Sequence, residues 1–396
     1  MIDFRNPYTP GAGVTPRFLA GREEILETAQ HRIKAVESGY PARPIVFYGL
    51  RGVGKTVLLN AIEEMTDTRD LLCKHIEVKE DSNFVKSLAI ACNGFVQQLS
   101  TKEKLKDRAG KMFSLMRAFV ATWNPEDKSF SLEMKDQMPE IAVAGTGDLS
   151  NDFTELLVML GKYAKQADTA IFFCIDEIQY AKEAELEALI TANHRINQLG
   201  LPVMFFCAGL PKILKEMGDA KSYTERLFEF VEIGSLSVES ARDAIIVPAK
   251  DLDVDYTEEA VQKILDETKG YPYFIQEICS TIWENHDGKQ IDLDAVVTNI
   301  PAANKKLDAG FFQVRYDRCT GMEKQFMAGM VNCGELPCTI ANVATAMGRT
   351  ARSISPYRSQ LIHKGLIYAT SYGEIDFTVP RFDEFMKRAH PELIQG

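Results

Sequence analysis

The sequence predicts an α/β protein built on a parallel sheet, with a small α-helical module and a winged helix-turn-helix behind it. Three observations predict this. Short, wholly apolar runs alternate with helical stretches through the first 234 residues, that rhythm stops near Ser235, and from Leu307 the order becomes helix, helix, helix, strand, glycine turn, strand. Apolar runs of this kind are strands buried on both faces, which a parallel sheet covered by helices requires.

Pro44–Gly49 (PIVFYG) opens the sheet, and Lys55–Glu64 continues as a helix. Lys74–Lys79 reads as the second strand, with a helix near Asn83–Leu99 after it. Phe153, Leu156, Leu157, Leu160 and Ala164 recur at the spacing of one helical face. Ala170–Ile175 is a continuous apolar strand that runs into acids. Leu186, Leu189, Ile190 and Ile196 mark a helix that stops at Gly200 before Pro202, and Val203–Ala208 and Phe228–Ile233 read as further strands. Thr101–Gly147, a basic helix and a Pro/Gly-containing stretch, breaks the rhythm and reads as an insertion. Val238–Lys250, Thr257–Thr268 and Tyr273–Asn285 read as three helices. Domains are expected at 1–234, 235–305 and 306–396, in line with 396 residues at roughly 150 per domain.

At 45% hydrophobic and 26% charged, the composition is that of a globular chain. Met1–Pro10 lacks the pattern of a signal peptide. The longest apolar stretches, Ala170–Ile175 and Leu201–Leu210, fall short of the ~20 residues a membrane helix needs, so a cytoplasmic protein with no membrane partner is expected. Cys174 and Cys207 lie in buried strands, where a thiol acts as a small hydrophobe. Cys333 and Cys338 form a close pair without the second half of a zinc-ligand pattern. Reduced thiols follow. The net charge of −11 disfavours non-specific coating of nucleic acid. The charge is uneven: Gly321–Gly396 carries 8 Lys+Arg against 7 Asp+Glu, and Thr339–Tyr372 holds Arg349, Arg352, Arg358 and Lys364 with no acid.

Gly49-Leu50-Arg51-Gly52-Val53-Gly54-Lys55-Thr56 fits G-x-x-x-x-G-K-[ST] between a strand and a helix. Glycines let the backbone wrap so that N–H groups converge on a β-phosphate, and the helix N-terminus adds positive potential. Lys55 would reach the β- and γ-phosphates, and the Thr56 hydroxyl would ligate Mg²⁺. Val57, next along the helix, is counted with the nucleotide-binding residues. The bland alternative is a chance match in a glycine-rich turn. About 120 residues on, Ile171–Glu177 (IFFCIDE) places Asp176 and Glu177 at the C-terminal end of a buried strand, where ligands sit in such sheets. Asp176 would hold the magnesium through its water shell, and Glu177 would polarise the attacking water. Two surface acids capping a strand are the alternative there. ATP, or a close purine nucleotide, with Mg²⁺ is the expected ligand.

These residues resemble the AAA+/STAND group of P-loop ATPases, in particular the origin-recognition-type ATPases. Phe18-Leu19-Ala20-Gly21-Arg22-Glu23-Glu24 looks like their hhGRE box, Val203–Pro211 like the strand and turn of sensor 1, and Gly270-Tyr271-Pro272 like the GxP element of the lid. The resemblance implies that Pro272 abuts the adenine and that Arg22 lies near the nucleotide, a salt bridge within the fold being the alternative for Arg22. Arg226, in Ser222–Phe228, occupies the place of an arginine finger donated to a neighbouring subunit; a solvated arginine before a strand is the alternative. Cys207-Ala208-Gly209 lacks the usual polar sensor 1 residue, Tyr273 stands where many relatives carry the sensor 2 arginine, and Ile25 stands where STAND proteins often have an acid. Slow, switch-like hydrolysis is the implication.

Ile340–Met347 and Ser353–Lys364 read as the two helices of a helix-turn-helix around Gly348-Arg349-Thr350, with Ser353 as N-cap and Pro356 in the first helical turn. Leu361, Ile362 and Leu366 would anchor the second helix. Ile367–Thr370, Tyr372-Gly373 and Ile375–Val379 read as the wing. Second-helix entry into a major groove, with Arg349, Arg352, Arg358 and Lys364 on phosphates, is the expectation for double-stranded DNA. The alternative is a STAND-like signalling or scaffold ATPase whose winged helix gates the nucleotide and binds protein. ATP-driven homo-oligomerisation fits either.

Overall fold

The computed structural model describes residues 5–80, 83–102, 105, 108–123, 146–286, 288–370 and 373–394. They divide into two units, one of residues 22–49 and 55–233, the other of residues up to 21, 50–54 and 234 onward.

The first unit runs α1 (Glu23–Glu37), β1 (Ile45–Tyr48), α2 (Lys55–Asp67), β2 (Leu72–Glu77), α3 (Phe84–Thr101), α4 (Ala109–Trp123), α5 (Leu149–Gln166), β3 (Ile171–Asp176), α6 (Glu183–Gln198), β4 (Val203–Gly209), α7 (Ile213–Ala220), α8 (Thr224–Leu227) and β5 (Glu229–Glu232). Its five-stranded sheet has the order β2-β3-β4-β1-β5, with every pairing parallel. β3 and β4 are buried along their whole length, as strands with apolar neighbours on both faces must be. Phe173 of β3 stacks on Phe205 of β4 at 5.1 Å and meets Phe95 of α3 edge-on at 5.1 Å. Asn83 caps α3 by accepting from the Lys86 amide, and Asp148 caps α5 through the Asn151 amide. The face expected for α5 is fully buried.

The segment expected as an insertion is partly structural. Met112, Met116, Phe119 and Val120 of α4 recur at helical spacing and lie in the same core as the sheet; residues 124–145 of that segment lie outside the described residues. Asp152 ties its end down. This buried carboxylate accepts from Trp123 Nε1 at 3.0 Å, Thr146 N at 3.0 Å, Thr146 Oγ1 at 2.8 Å and Gly147 N at 3.2 Å.

The second unit contains α9 (Val238–Lys250), β6 (Asp255–Tyr256), α10 (Glu258–Thr268), α11 (Pro272–Glu284), β7 (Gln290–Ile291) and α12 (Leu293–Leu307). The sequence pattern predicts three helices here, and α12 is a fourth. Ile245, Ile264, Ile275, Ile278, Ile282 and Val296 form its core, and Tyr8 and Ala20 from the N-terminal segment join that same core. Tyr8 donates to the Ile245 carbonyl, and Asn6 Nδ2 to Ser280 Oγ at 2.8 Å. A π-turn at Asp308–Gln313 leads into α13 (Val314–Asp317), α14 (Gly321–Asn332), β8 (Cys338–Thr339), α15 (Ile340–Ala346), α16 (Ala351–His363), β9 (Ile367–Ala369), β10 (Glu374–Phe377) and α17 (Phe382–Ala389). β8, β10 and β9 pair antiparallel in that order, which makes the wing; Tyr372, expected in its turn, lies outside the described residues. α16 begins earlier than expected. Thr350, not Ser353, is the N-cap, accepting from the Ser353 amide, so Pro356 falls beyond the first turn. Ile354 and Leu361, two turns apart, lie on the same buried face; Ile362 is only half-buried.

Burial alone would raise the Asp152 carboxyl, but the Thr146 amide and hydroxyl, Trp123 and Gly147 outweigh it and hold it below the ordinary value. A depressed carboxyl contributes stability above its unfolded pKa of about 3.9 and loses it as pH falls through the folded value. Asp152→Ala is therefore expected to cost about 2–3 kcal/mol at pH 7, with the difference from wild type shrinking below about pH 4, as measured by urea unfolding at both pH values.

Candidate active site

β1 ends at Tyr48 beside Gly209 of β4, and the Gly49 amide donates to the Gly209 carbonyl at 3.3 Å. Because the sheet is parallel, the C-terminal ends of β1, β3 and β4 lie on one edge, where open sheets collect ligands. Lys55 opens α2, and its Nζ donates to Gly49 O at 3.0 Å, so the ammonium is tied back across the loop that precedes it. Thr56 Oγ1 donates to Asp176 Oδ2 at 2.6 Å, joining the start of α2 to the end of β3. Asp176 Oδ1 accepts from the Glu177 amide at 2.8 Å. Val57 is buried.

Asp176 is 4% exposed. Burial raises its pKa; the Thr56 bond opposes this, the Glu177 charge adds to it, and Lys55 opposes it again. Glu177 adopts a left-handed backbone, φ 52°, at the start of the short turn Ile178–Tyr180. Sequence reasoning missed Gln179. It is buried, its Nε2 donates to Glu177 Oε2, and its Oε1 accepts from the Leu210 amide at 2.9 Å. A signal was available: the end of β4, Cys207-Ala208-Gly209, lacks the usual polar side chain, which leaves room for a polar group from elsewhere.

The loop Leu50–Gly54 belongs to the second unit. Gly52 and Gly54 hold φ 82° and 93°, the left-handed values that let successive amides converge on an anion. Space in front of Gly54 is open: a Cβ there would meet nothing within 4 Å. At Gly52 a Cβ would lie 3.1 Å from Tyr273 Cβ and 3.3 Å from Tyr271 Cε1. Arg51 is engaged within that unit. Its amide donates to Thr378 O at 3.4 Å, its Nε to Gly365 O at 3.3 Å, and its carbonyl accepts from the Tyr271 hydroxyl. Val53 is buried. The open cradle at Gly54 fits a phosphate, and the hydroxyl and carboxylate oxygens of Thr56 and Asp176 fit a hard divalent cation.

The remaining residues are placed as follows. Arg22 is buried at the start of α1, and burial lowers its pKa, with Glu23 opposing. Arg226 is exposed on α8, and no described contact joins it to Lys55, Thr56, Asp176 or Glu177. Pro272 is the first residue of α11. Arg349 and Arg352 are exposed and Arg358 is half-buried. Lys364 donates to Glu323 Oε2 at 2.7 Å and to Arg318 O at 3.1 Å.

Residues 19–206 match the AAA ATPase domain family. This stretch of the chain is an AAA ATPase domain. Residues 309–386, behind it, match a domain of unknown function, DUF8462. No curated protein sequence matches the chain. Among solved structures, the Walker-type ATPase PABY2304 of Pyrococcus abyssi is similar at 12% identity and TM-score 0.52, over 98% of this chain and 99% of that one. Orc1 of Aeropyrum pernix, solved in complex with DNA, is similar at 14% identity and TM-score 0.46, over 94% of each chain. Cdc6p from Pyrobaculum aerophilum is similar at 14% identity and TM-score 0.47, over 97% of this chain and 98% of that one. The likeness to PABY2304 is one of fold, and it runs through the AAA ATPase domain and everything that follows it.

Glu323, fully buried, completes the capping box of α14 with Thr320. Burial would raise its carboxyl, but Lys364 and Thr320 outweigh that and hold it low. Lys364→Ala should therefore cost about 1–3 kcal/mol near pH 7, because a buried carboxylate loses its partner. That penalty should fade as pH drops below about 4, where the carboxylate is protonated in the unfolded chain and then in the folded one. Thermal unfolding at the two pH values checks it.

Proposed function

We propose that this chain is a magnesium-dependent, ATP-hydrolysing switch whose nucleotide state governs how its C-terminal winged helix is presented, with double-stranded DNA as the partner. The observation that carries the first half is the 2.6 Å bond between the Thr56 hydroxyl and Asp176, which brings the two oxygen donors of a magnesium–nucleotide site together. In this reading the amides around Gly52–Thr56 hold the β-phosphate, and Lys55 leaves its carbonyl partner Gly49 to pair with the phosphates. A magnesium ion held there would supply positive charge against the phosphates. Thr56 and Asp176 would hold that ion, Asp176 through its water shell. Glu177 orients the attacking water and accepts its proton. Arg22 and Pro272 border the nucleotide, and Arg226 acts on the nucleotide of a neighbouring copy in an ATP-dependent homo-oligomer. The division into 1–234, 235–305 and 306–396 describes the corresponding ATPase, lid and winged-helix parts.

Lys55→Ala is expected to abolish nucleotide binding. Glu177→Gln is expected to keep binding and lose about 10²-fold or more in turnover. Phosphate release and equilibrium binding of a labelled ATP analogue separate the two. Binding left intact by Lys55→Ala would put the site elsewhere.

The DNA half rests on α16. Arg349 and Arg352 are exposed beside its N-terminus, with Arg358 partly exposed along it, in an otherwise acidic chain. Contacts of this kind are to phosphate and salt-sensitive. Arg352→Ala with Arg358→Ala should remove a duplex shift seen at low salt and flatten its salt dependence, measured by fluorescence anisotropy with ATP or ADP. A second reading, in which the winged helix gates the nucleotide and binds protein, has its own observation: the carbonyls of Gly365 and Thr378 accept from Arg51 in the phosphate loop. An absence of any duplex binding in wild type favours it.

A further inference from the structure

We propose that Gln179 is the positioning residue of Glu177, holding the catalytic acid to the end of β4 in place of the polar side chain that β4 lacks. This rests on the ATPase reading above.

The geometry has three parts, all within the first unit. Gln179 is buried, at 2% exposure, at the middle of the turn that follows the acid pair. One end of its amide donates to the Glu177 carboxylate, and the other accepts from the Leu210 amide at 2.9 Å. Only one orientation of the amide satisfies both partners. Reversed, its oxygen would face a carboxylate and its NH₂ would face an N–H. The Leu210 amide therefore fixes which end of Gln179 meets Glu177, and so fixes the carboxylate.

Gly209 makes this possible. A Cβ at that position would sit 2.9 Å from Gln179 Oε1 and 3.1 Å from Ile178 Cγ2, so the last residue of β4 can carry no side chain while Gln179 reaches past it. The poverty of Cys207-Ala208-Gly209 and the presence of Gln179 are two sides of one arrangement. A buried amide with both ends occupied is stiff, since either bond lost leaves an unsatisfied polar group. Glu177, by contrast, is only half-buried and sits on a left-handed backbone, so the bond from Gln179 bears on where its carboxylate lies. Hydrolysis depends on the placement of that carboxylate against water, and small misplacements of a catalytic group cost large factors in rate.

The test uses the full chain, with Gln179→Met keeping the packing volume and removing the amide, and Gly209→Ala displacing the amide while leaving Gln179 in place. Both are expected to lower kcat about 10-fold or more while ATP affinity, read by binding of a labelled analogue, stays within about twofold. Combined with Glu177→Gln, Gln179→Met should add little further loss, because it acts through the group already removed. Wild-type kcat in a folded Gln179→Met variant would overturn the assignment. So would a loss that multiplies fully with Glu177→Gln, which would mean that Gln179 acts independently of the acid. A wild-type chain whose phosphate release is insensitive to Glu177→Gln would fail the ATPase reading itself, a result distinct from either.

Discussion

The bond between Thr56 and Asp176 sets the terms for the rest of the sheet unit. A hydroxyl at the start of α2 can reach a carboxylate at the end of β3 only if β1 and β3 run parallel, end at the same edge and are held one strand apart. β4 supplies that spacing: it pairs with β1 through Tyr48 and Gly209 and with β3 through Ile175 and Cys207. The aromatic stack Phe95–Phe173–Phe205 then fixes β3 against both α3 and β4. Asp176 sits at the boundary where this apolar packing stops, so its carboxylate is desolvated yet has one polar edge. Ordinary strand composition, apolar to the last residue and then acidic, is enough to build that boundary.

Much of this was legible because it depends on short-range pattern. Wholly apolar runs identify buried strands, and the phosphate loop is contiguous in the chain, so β1, β3, β4 and the residues Lys55, Thr56, Asp176 and Glu177 could be read together. The misses have different physical causes. In α12, Val296, Ile300, Ala303 and Leu307 bury one helical face, but Pro301 lies inside that helix, and proline removes a hydrogen bond and ordinarily argues against a helix interior. At the start of α16 both Thr350 and Ser353 are competent caps. Thr350 is the one used, accepting from the Ser353 amide, and the local pattern does not distinguish the two. The core face of α4, Met112, Met116, Phe119 and Val120, has clear helical spacing, but the basic residues just before it disguised a core helix as an excursion. Gln179 has no motif at all. Its meaning arises from strand order, which sets the turn after β3 beside the end of β4.

Electrostatics separates two groups of basic residues that look alike in sequence. Lys364 shares a stretch with Arg349, Arg352 and Arg358, yet its ammonium is bound to a buried carboxylate that itself caps α14. Its charge is spent inside the fold. Arg349 and Arg352 remain exposed, and a phosphate contact needs a cation that can exchange its water for an anion without first breaking an internal pair. A local excess of Lys and Arg therefore overstates the charge a surface can offer. The relevant quantity is the excess left after helix caps and buried acids have been neutralised.

Two positions at which the sequence departs from the pattern its resemblance implies, the end of β4 and Tyr273, are filled in opposite ways. At the end of β4 the missing polar side chain is answered by another polar group, because the Leu210 amide and the Glu177 carboxylate are directional and need a partner with both a donor and an acceptor. Tyr273 is answered by packing: its ring stacks on Phe311 at 4.4 Å, and a Cβ on Gly52 would lie 3.1 Å from the Tyr273 Cβ, closer than ordinary contact. A charge at that position would act on an anion through space and fall off gradually with distance. A ring acts only on contact. Within this unit the phosphate loop is thus held by surfaces that either touch or do not, together with the Tyr271 hydroxyl on the Arg51 carbonyl. Such contacts suit a loop with two discrete arrangements better than one tuned continuously by charge, since packed surfaces resist intermediate separations.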